Sequence, residues 1–259
     1  MKVVILAGGL GSRIRDVTED VPKPMITIGT DPILIHIMKY FSAFGFDDFV
    51  ICLGYKGNII KEYFLNYLNL SCDITLNTST GKIIHHQDIN KYNWNISLIN
   101  TGYDNMTGSR ISQIRDYVGN NDFFLTYGDG VGDINLDQLL KFHKKHNKIL
   151  TVTGVRPPGR FGEISKNDDG LATGFNEKPQ TSNGRISGGF FVAKPSIFNF
   201  LSDSKELVFE EQPINSILKK KELMVFEHNG FWQPMDTSRE FRLLNDLYKN
   251  GEAPWVSWE

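Results

Sequence analysis

Two cations and a glycine turn near the amino terminus have the types and spacing to bind an anion. Gly8, Gly9 and Gly11 follow the apolar run at residues 3–7. Arg13 comes next, and Lys23 stands between Pro22 and Pro24. An apolar run of that length suits one buried strand. Glycines at its end let backbone N–H groups approach a ligand and adopt positive φ. Convergent N–H groups beside two fixed positive charges suit phosphate oxygens. No Gly-Lys-Ser/Thr follows, so the turn is not a Walker loop, and the glycine spacing does not fit the dinucleotide fingerprint. A plain strand-to-loop connection would also use glycines, but it has no need of the cations.

Carboxylates supply the opposite charge. Asp129 follows the apolar run at residues 123–127 and is flanked by Gly128 and Gly130. In an open α/β sheet ligands gather at the carboxyl ends of the strands, and a carboxylate there suits Mg²⁺. The same letters taken alone read as an Asp-Gly turn. Asp236 precedes a helical pattern, where either it or Thr237 would serve as N-cap. Thr107 is open to the same reading, with Gly108 a loop residue, and Arg110 offers donors to a carbonyl or a phosphate. Glu177-Lys178-Pro179, read alone, is a solvated charged turn. Asp133 caps the helix near Leu136 or faces solvent.

The segment Leu6-Ala7-Gly8-Gly9-Leu10-Gly11-Ser12-Arg13, followed by Pro22-Lys23-Pro24-Met25, strongly resembles the signature of the sugar-nucleotide pyrophosphorylases, a family of nucleotidyltransferases. Further segments look like those of its glucose-1-phosphate cytidylyltransferase subgroup. These are Cys52-x-Gly54-Tyr55-Lys56-Gly57, Gly102 with residues 106–110, Thr126-Tyr127-Gly128-Asp129-Gly130, residues 157–162, residues 230–237 and the closing Ala253-Pro254-Trp255-x-x-Trp258-Glu259. The resemblance runs from Met1 to Glu259.

It implies an α/β, Rossmann-like nucleotidyltransferase fold: a mostly parallel central sheet flanked by helices, with a smaller β-rich sugar-binding portion. The implied reaction is Mg²⁺-dependent transfer from CTP to a sugar 1-phosphate, giving a CDP-sugar and pyrophosphate. Arg13 and Lys23 would be catalytic. Leu6, Ala7, Gly8, Gly9, Gly11 and Ser12 would join them in holding the nucleotide, with Thr107, Gly108 and Arg110 at the base. Asp129 would serve the nucleotide and, with Asp236, the metal. Gly162, Glu177, Lys178, Ser187 and Gly188 would hold the sugar phosphate. One departure stands out: the subgroup carries Asn where this chain has Ser187, ahead of Gly188-Gly189-Phe190-Phe191. A hydroxyl reaches less far and lacks the paired donor and acceptor of an amide, so another sugar 1-phosphate competes with α-D-glucose 1-phosphate. UTP or dTTP as donor is a rival within the same chemistry, and residues 106–110 argue against it. A silent, ligand-sensing subunit would be expected to have lost a cation or a carboxylate, yet Arg13, Lys23, Asp129, Lys178 and Asp236 are all present. The resemblance also implies a homo-oligomer that makes CDP-sugars for surface polysaccharide.

The elements that must position these residues are legible in outline. At 259 residues the chain can bury a large core, and it reads as a single domain, 1–259, with a nucleotide-binding half (1–150) and a sugar-phosphate-binding half (151–259). A net charge of −2 gives no global field to recruit nucleic acid or an anionic membrane. Cys52 and Cys72 lie in apolar, strand-like segments without metal or redox spacing, and read as core residues of a cytoplasmic protein. The amino-terminal apolar run is too short for a signal sequence or a membrane span. Short β-rich runs alternate with helical patterns, as in a parallel sheet covered by helices. Strands are expected at 3–7, 48–53, 73–76, 123–127, 150–155, 163–165 and 188–192. Helices are expected at 33–44, 59–68, 110–118, 136–146, 209–220 and 238–250. Residues 80–99 read as an insertion or flap. His143 and His146 read as members of a solvated helix face, His36 as a packing or capping residue, and Phe231 with Trp232 as core at a strand end.

Overall fold

The computed structural model describes residues 1–9, 14, 21–86, 92–157, 163–166, 169, 171–176 and 184–258. In chain order the first half runs β1 (Lys2–Ala7), β2 (Thr27–Ile28), β3 (Asp31–Pro32), α1 (Ile33–Ser42), β4 (Asp48–Leu53), α2 (Gly57–Leu65), α3 (Tyr67–Ser71), β5 (Ile74–Leu76), β6 (Ile83–His85), β7 (Asn95–Asn100), α4 (Thr107–Ser112), α5 (Arg115–Val118), β8 (Phe123–Tyr127), β9 (Gly130–Gly132) and α6 (Leu136–His146). The second half adds β10 (Leu150–Val155), β11 (Glu163–Lys166), β12 (Ala172–Asn176), β13 (Ile186–Ala193), α7 (Gln212–Lys219), β14 (Leu223–His228), β15 (Trp232–Pro234) and α8 (Ser238–Lys249).

Seven strands form the central sheet in the order β14-β10-β13-β8-β1-β4-β7. β8, β1, β4 and β7 run parallel, as do β10 and β14, while β13 is antiparallel to both of its neighbours. The expected mostly parallel sheet is therefore present, with one reversed strand. Strands buried on both faces read as continuous apolar runs, and β1 is one. Its alternate side chains serve two cores, as the two-residue strand period requires. Val3, Ile5 and Ala7 pack with Ile33, Ile37 and Phe41 of α1 on one face. Val4 and Leu6 pack with Ile111, Ile114, Phe209 and Ile217 on the other. Because β1 and β8 are parallel and in register, with Leu6 opposite Tyr127, both release their chains at the same sheet edge.

Several expectations are corrected. Residues 74–76 do not join the central sheet; they pair with β6 as an exposed antiparallel ribbon. The place beside β4 goes to β7, inside the segment read as a flap. β7 is an edge strand with Asn95, Ser97 and Asn100 among its six residues, so it carries no continuous apolar signal. The helix expected at 110–118 is two short helices, α4 and α5. Asp133 does not cap α6. Asn135 does, accepting from Gln138 N at 2.9 Å, while Asp133 pairs with His228 at 2.9 Å. Cys52 is a buried core thiol, which burial pushes up to about 12, but Cys72 is only half-buried after α3. His143 does not lie on a solvated face; it is fully buried. Among the described residues, no helix is long and apolar enough to cross a membrane.

Candidate active site

The glycines after β1 do something other than supply positive φ, since neither Gly8 nor Gly9 takes such a conformation. At Gly8 the requirement is space: a Cβ there would lie 2.4 Å from the Arg110 guanidinium. A Cβ at Gly54 would lie 2.5 Å from the same guanidinium. Arg110 ties the surrounding loops together. Its Nη1 donates to Leu53 O, Thr101 Oγ1 and Gly102 O at 3.1, 2.9 and 2.7 Å. Its Nη2 donates to Gly8 O at 3.0 Å and Tyr103 O at 3.3 Å. Burial lowers the Arg110 pKa, yet a guanidinium remains a cation. These contacts are all with the protein itself, so the Nη groups brace the loop carbonyls around the site.

Lys23 opens a single 3₁₀ turn, Lys23–Met25. Its flanking prolines restrict φ and the preceding ψ, and Met25 N closes the turn on Pro22 O at 2.8 Å. The side chain reaches the carboxyl end of the sheet, where Nζ donates to Asp129 Oδ2 and, at 2.5 Å, to Asp236 Oδ1. Asp129 arrives from β8, whose exit is pinned by Gly128 N on Leu6 O at 3.0 Å. Asp236 arrives along β15, which pairs antiparallel with β9, and Met235 N donates to Asp129 O at 2.8 Å. The competing reading of Asp236 as a helix cap is resolved in favour of its neighbour. Thr237 caps α8 in a capping box, and Glu240 Oε2 accepts from Asp236 N at 2.7 Å and Thr237 N at 3.0 Å. The box thus holds the backbone that presents Asp236.

The electrostatics of this triad are lopsided. The Lys23 side chain is 11% exposed, and the Asp129 and Asp236 side chains are 33% and 28% exposed. Burial alone would lower the lysine pKa, but the two carboxylates more than offset it and raise it above the ordinary value. Lys23 is a cation at any physiological pH.

A cavity of about 250 Å³ opens beside the triad. Leu6, Ala7, Gly8, Gly9, Lys23, Thr107, Arg110, Asp129 and Asp236, all predicted, line it. Gly108 does not; it packs against Leu207, where a Cβ would sit 2.8 Å from Cγ. Ser187 and Gly188 lie apart from this cavity, at the start of β13. Ser187 is exposed, and Gly188 O accepts from Trp232 Nε1 at 2.7 Å. Gly11, Ser12, Arg13, Gly162, Glu177 and Lys178 lie outside the described residues.

Two residues that the sequence did not single out also belong to the site: Tyr127, which lines the cavity, and Glu210, to which Tyr127 donates its hydroxyl. Thr107 is not a cap, since Met106 holds that position; its Oγ1 donates to Glu210 Oε2 at 2.7 Å and accepts from Phe209 N at 2.9 Å. No spacing rule would have found Glu210, because it reaches the site from a distant loop.

Gly8 and Gly9 after a strand, a largely buried lysine and two converging carboxylates at the carboxyl edge of an α/β sheet suit anionic, phosphate-bearing substrates. Residues 2–237 match the nucleotidyl transferase family, and the chain belongs to it; it is an enzyme of that class. It is 45% identical over 261 aligned positions, covering all of both chains, to the glucose-1-phosphate cytidylyltransferase of Salmonella typhi. It is 42% identical over 259 positions, again covering both chains fully, to a probable glucose-1-phosphate cytidylyltransferase of Bacillus subtilis. The fold matches the crystal structure of a UDP-glucose pyrophosphorylase complexed with UDP-glucose. That match has a TM-score of 0.68 and 17% identity, over 96% of this chain and 98% of the other. Enzymes of this family generally use a divalent metal. The residues fit one: two carboxylates converge on a single cation, Lys23 Nζ, and hard oxygen donors in that number suit a small divalent ion that also takes phosphate oxygens.

Proposed function

We propose that this enzyme transfers the cytidylyl group of CTP to a sugar 1-phosphate, α-D-glucose 1-phosphate in the first instance, releasing pyrophosphate and a CDP-sugar. The observation that carries the reading is the cavity joining Gly8 and Gly9 to Lys23 between Asp129 and Asp236. The choice of CTP and glucose 1-phosphate follows the full-length relatives at 45% and 42% identity.

A phosphate oxygen of the sugar phosphate attacks the α-phosphorus of CTP in line, and pyrophosphate departs. That phosphate, with a second pKa of about 6, is already a nucleophile at neutral pH and needs no strong base. The protein aligns the partners and supplies charge. Mg²⁺, when bound, would be held by Asp129 and Asp236 and would neutralise phosphate charge. Lys23, kept charged and short of water, faces the α-phosphate and the incoming oxygen. Leu6, Ala7, Gly8 and Gly9, with Gly11, Ser12 and Arg13, hold the nucleotide, and Thr107 with Gly108 and Arg110 shapes the base end. Gly162, Glu177, Lys178, Ser187 and Gly188 hold the sugar phosphate. On this reading residues 1–150 are the nucleotide half and 151–259 the sugar-phosphate half of a cytoplasmic homo-oligomer supplying surface polysaccharide.

Pyrophosphate release with CTP, UTP and dTTP, each against a panel of sugar 1-phosphates, tests the reading. CTP with glucose 1-phosphate is expected to be the best pair. Equal use of UTP or dTTP refutes the nucleotide assignment. A better sugar than glucose would trace first to Ser187, and Ser187→Asn should restore glucose.

A further inference from the structure

Glu210, exposed in the loop before α7, accepts hydrogen bonds from two hydroxyls. Its Oε2 accepts from Thr107 Oγ1 at 2.7 Å and its Oε1 accepts from Tyr127 Oη. Both of those residues line the cavity. A hydroxyl owns one proton and two lone pairs, so each has directed its only donor at the carboxylate, away from any ligand. Thr107 Oγ1 uses one lone pair on Phe209 N–H at 2.9 Å. What the two hydroxyls still offer a ligand is acceptor capacity alone. The Nη groups of Arg110, which also lines the cavity, are engaged by four carbonyls and Thr101.

We infer that Glu210 is a specificity-determining positioning residue. By orienting the Thr107 and Tyr127 protons it leaves these two hydroxyls as acceptors alone toward a ligand, which selects a nucleobase edge bearing an amino donor over one bearing a carbonyl. Cytosine presents such a donor at N4, whereas thymine, like uracil, presents an oxygen at position 4. A carbonyl pressed against lone pairs loses its hydrogen bonds to water without replacement. The inference rests on the CTP reading above and states how that choice is enforced.

Glu210→Gln in the full-length enzyme is the test. A glutamine amide accepts through its oxygen only and donates through its nitrogen, so one of the two hydroxyls must turn its proton into the cavity. Both kcat/KM with glucose 1-phosphate and calorimetric binding without it are measured for CTP and UTP. The preference for CTP over UTP is expected to fall by at least about tenfold, the order of one buried polar contact changing between paired and unpaired. Thr107→Val, close in shape but without the oxygen, should also lower the preference, because it removes an acceptor that the cytosine amino group uses and that a uracil carbonyl meets without a hydrogen bond. An equal loss for both nucleotides, or an unchanged preference in both variants, overturns the inference. A wild-type enzyme without any preference for CTP would instead overturn the nucleotide assignment itself.

Discussion

Lys23 and His143 are both basic side chains taken out of water, and they end in opposite charge states. Lys23 lies at the carboxyl edge of the sheet with Asp129 and Asp236 within hydrogen-bond reach, and its pKa is raised despite burial. His143 lies on α6, wholly buried, with Nδ1 2.8 Å from Thr151 Oγ1 and its nearest carboxylate, Asp122, 3.8 Å from Nε2. Burial, reinforced by His146 and Lys194, pushes its pKa down to about 4. Desolvation acts in the same direction on both; what differs is whether an opposite charge arrives at bonding distance. At the site three segments distant in sequence converge to keep a cation charged. Under α6 a hydroxyl accommodates a neutral ring, which belongs to packing.

Removing Lys23 should have the largest effect. Lys23→Ala is expected to cost about 3 kcal/mol of transition-state stabilisation, roughly a 150-fold fall in kcat, with a small change in KM and a preserved circular dichroism spectrum. Steady-state pyrophosphate release measures it, and an unchanged kcat would deny Lys23 its role.

The histidine end of the contrast is sharpened by pH. An unfolded His143 titrates near 6.5 and the folded one near 4. Between those values the unfolded chain binds more protons, so stability is full above about pH 6.5 and falls as pH drops toward 4. Between pH 7 and pH 5 this group should remove about 2 kcal/mol, lowering Tm by about 5 °C. His143→Gln should flatten that part of the profile, as scanning calorimetry would show. If the slope persists in the variant, the neutral-histidine account fails.

The smallest change probes how Asp236 is held. Glu240→Ala removes the carboxylate that accepts from Asp236 N and Thr237 N. It should cost about 1 kcal/mol of stability, as loss of a helix cap does. It should also raise the metal concentration for half-maximal rate more than it changes the KM for CTP. A metal titration of the variant checks this, and a loss of stability alone would reduce Glu240 to a cap.

Much of the site was legible because it is written locally. The run into Gly8 and Gly9, the prolines about Lys23 and the glycines about Asp129 mark strand ends and turns whose chemistry depends on near neighbours. The misreadings have a common cause. β7 was hidden because an edge strand lacks a continuous apolar signal, and residues 74–76 misled because their apolar side chains pair with β6 in the open. His143 read as surface because its helix is charged around it, although the buried stripe of α6 includes Leu136, Leu139 and His143.

Read alone, the amino-acid order pointed to the layered α/β architecture and the strand-to-glycine turn with its cations, since alternation and turn chemistry act over a few residues. The choice of Asp129 and Asp236 over a turn and a cap came from the family resemblance. Only the tertiary structure decided that Asp129 and Asp236 meet on Lys23, that Arg110 braces carbonyls, that Glu210 governs two hydroxyl protons and that His143 is neutral. Hydrogen-bond direction and ionisation depend on which atoms sheet register and loop closure bring together, and no local pattern encodes that meeting.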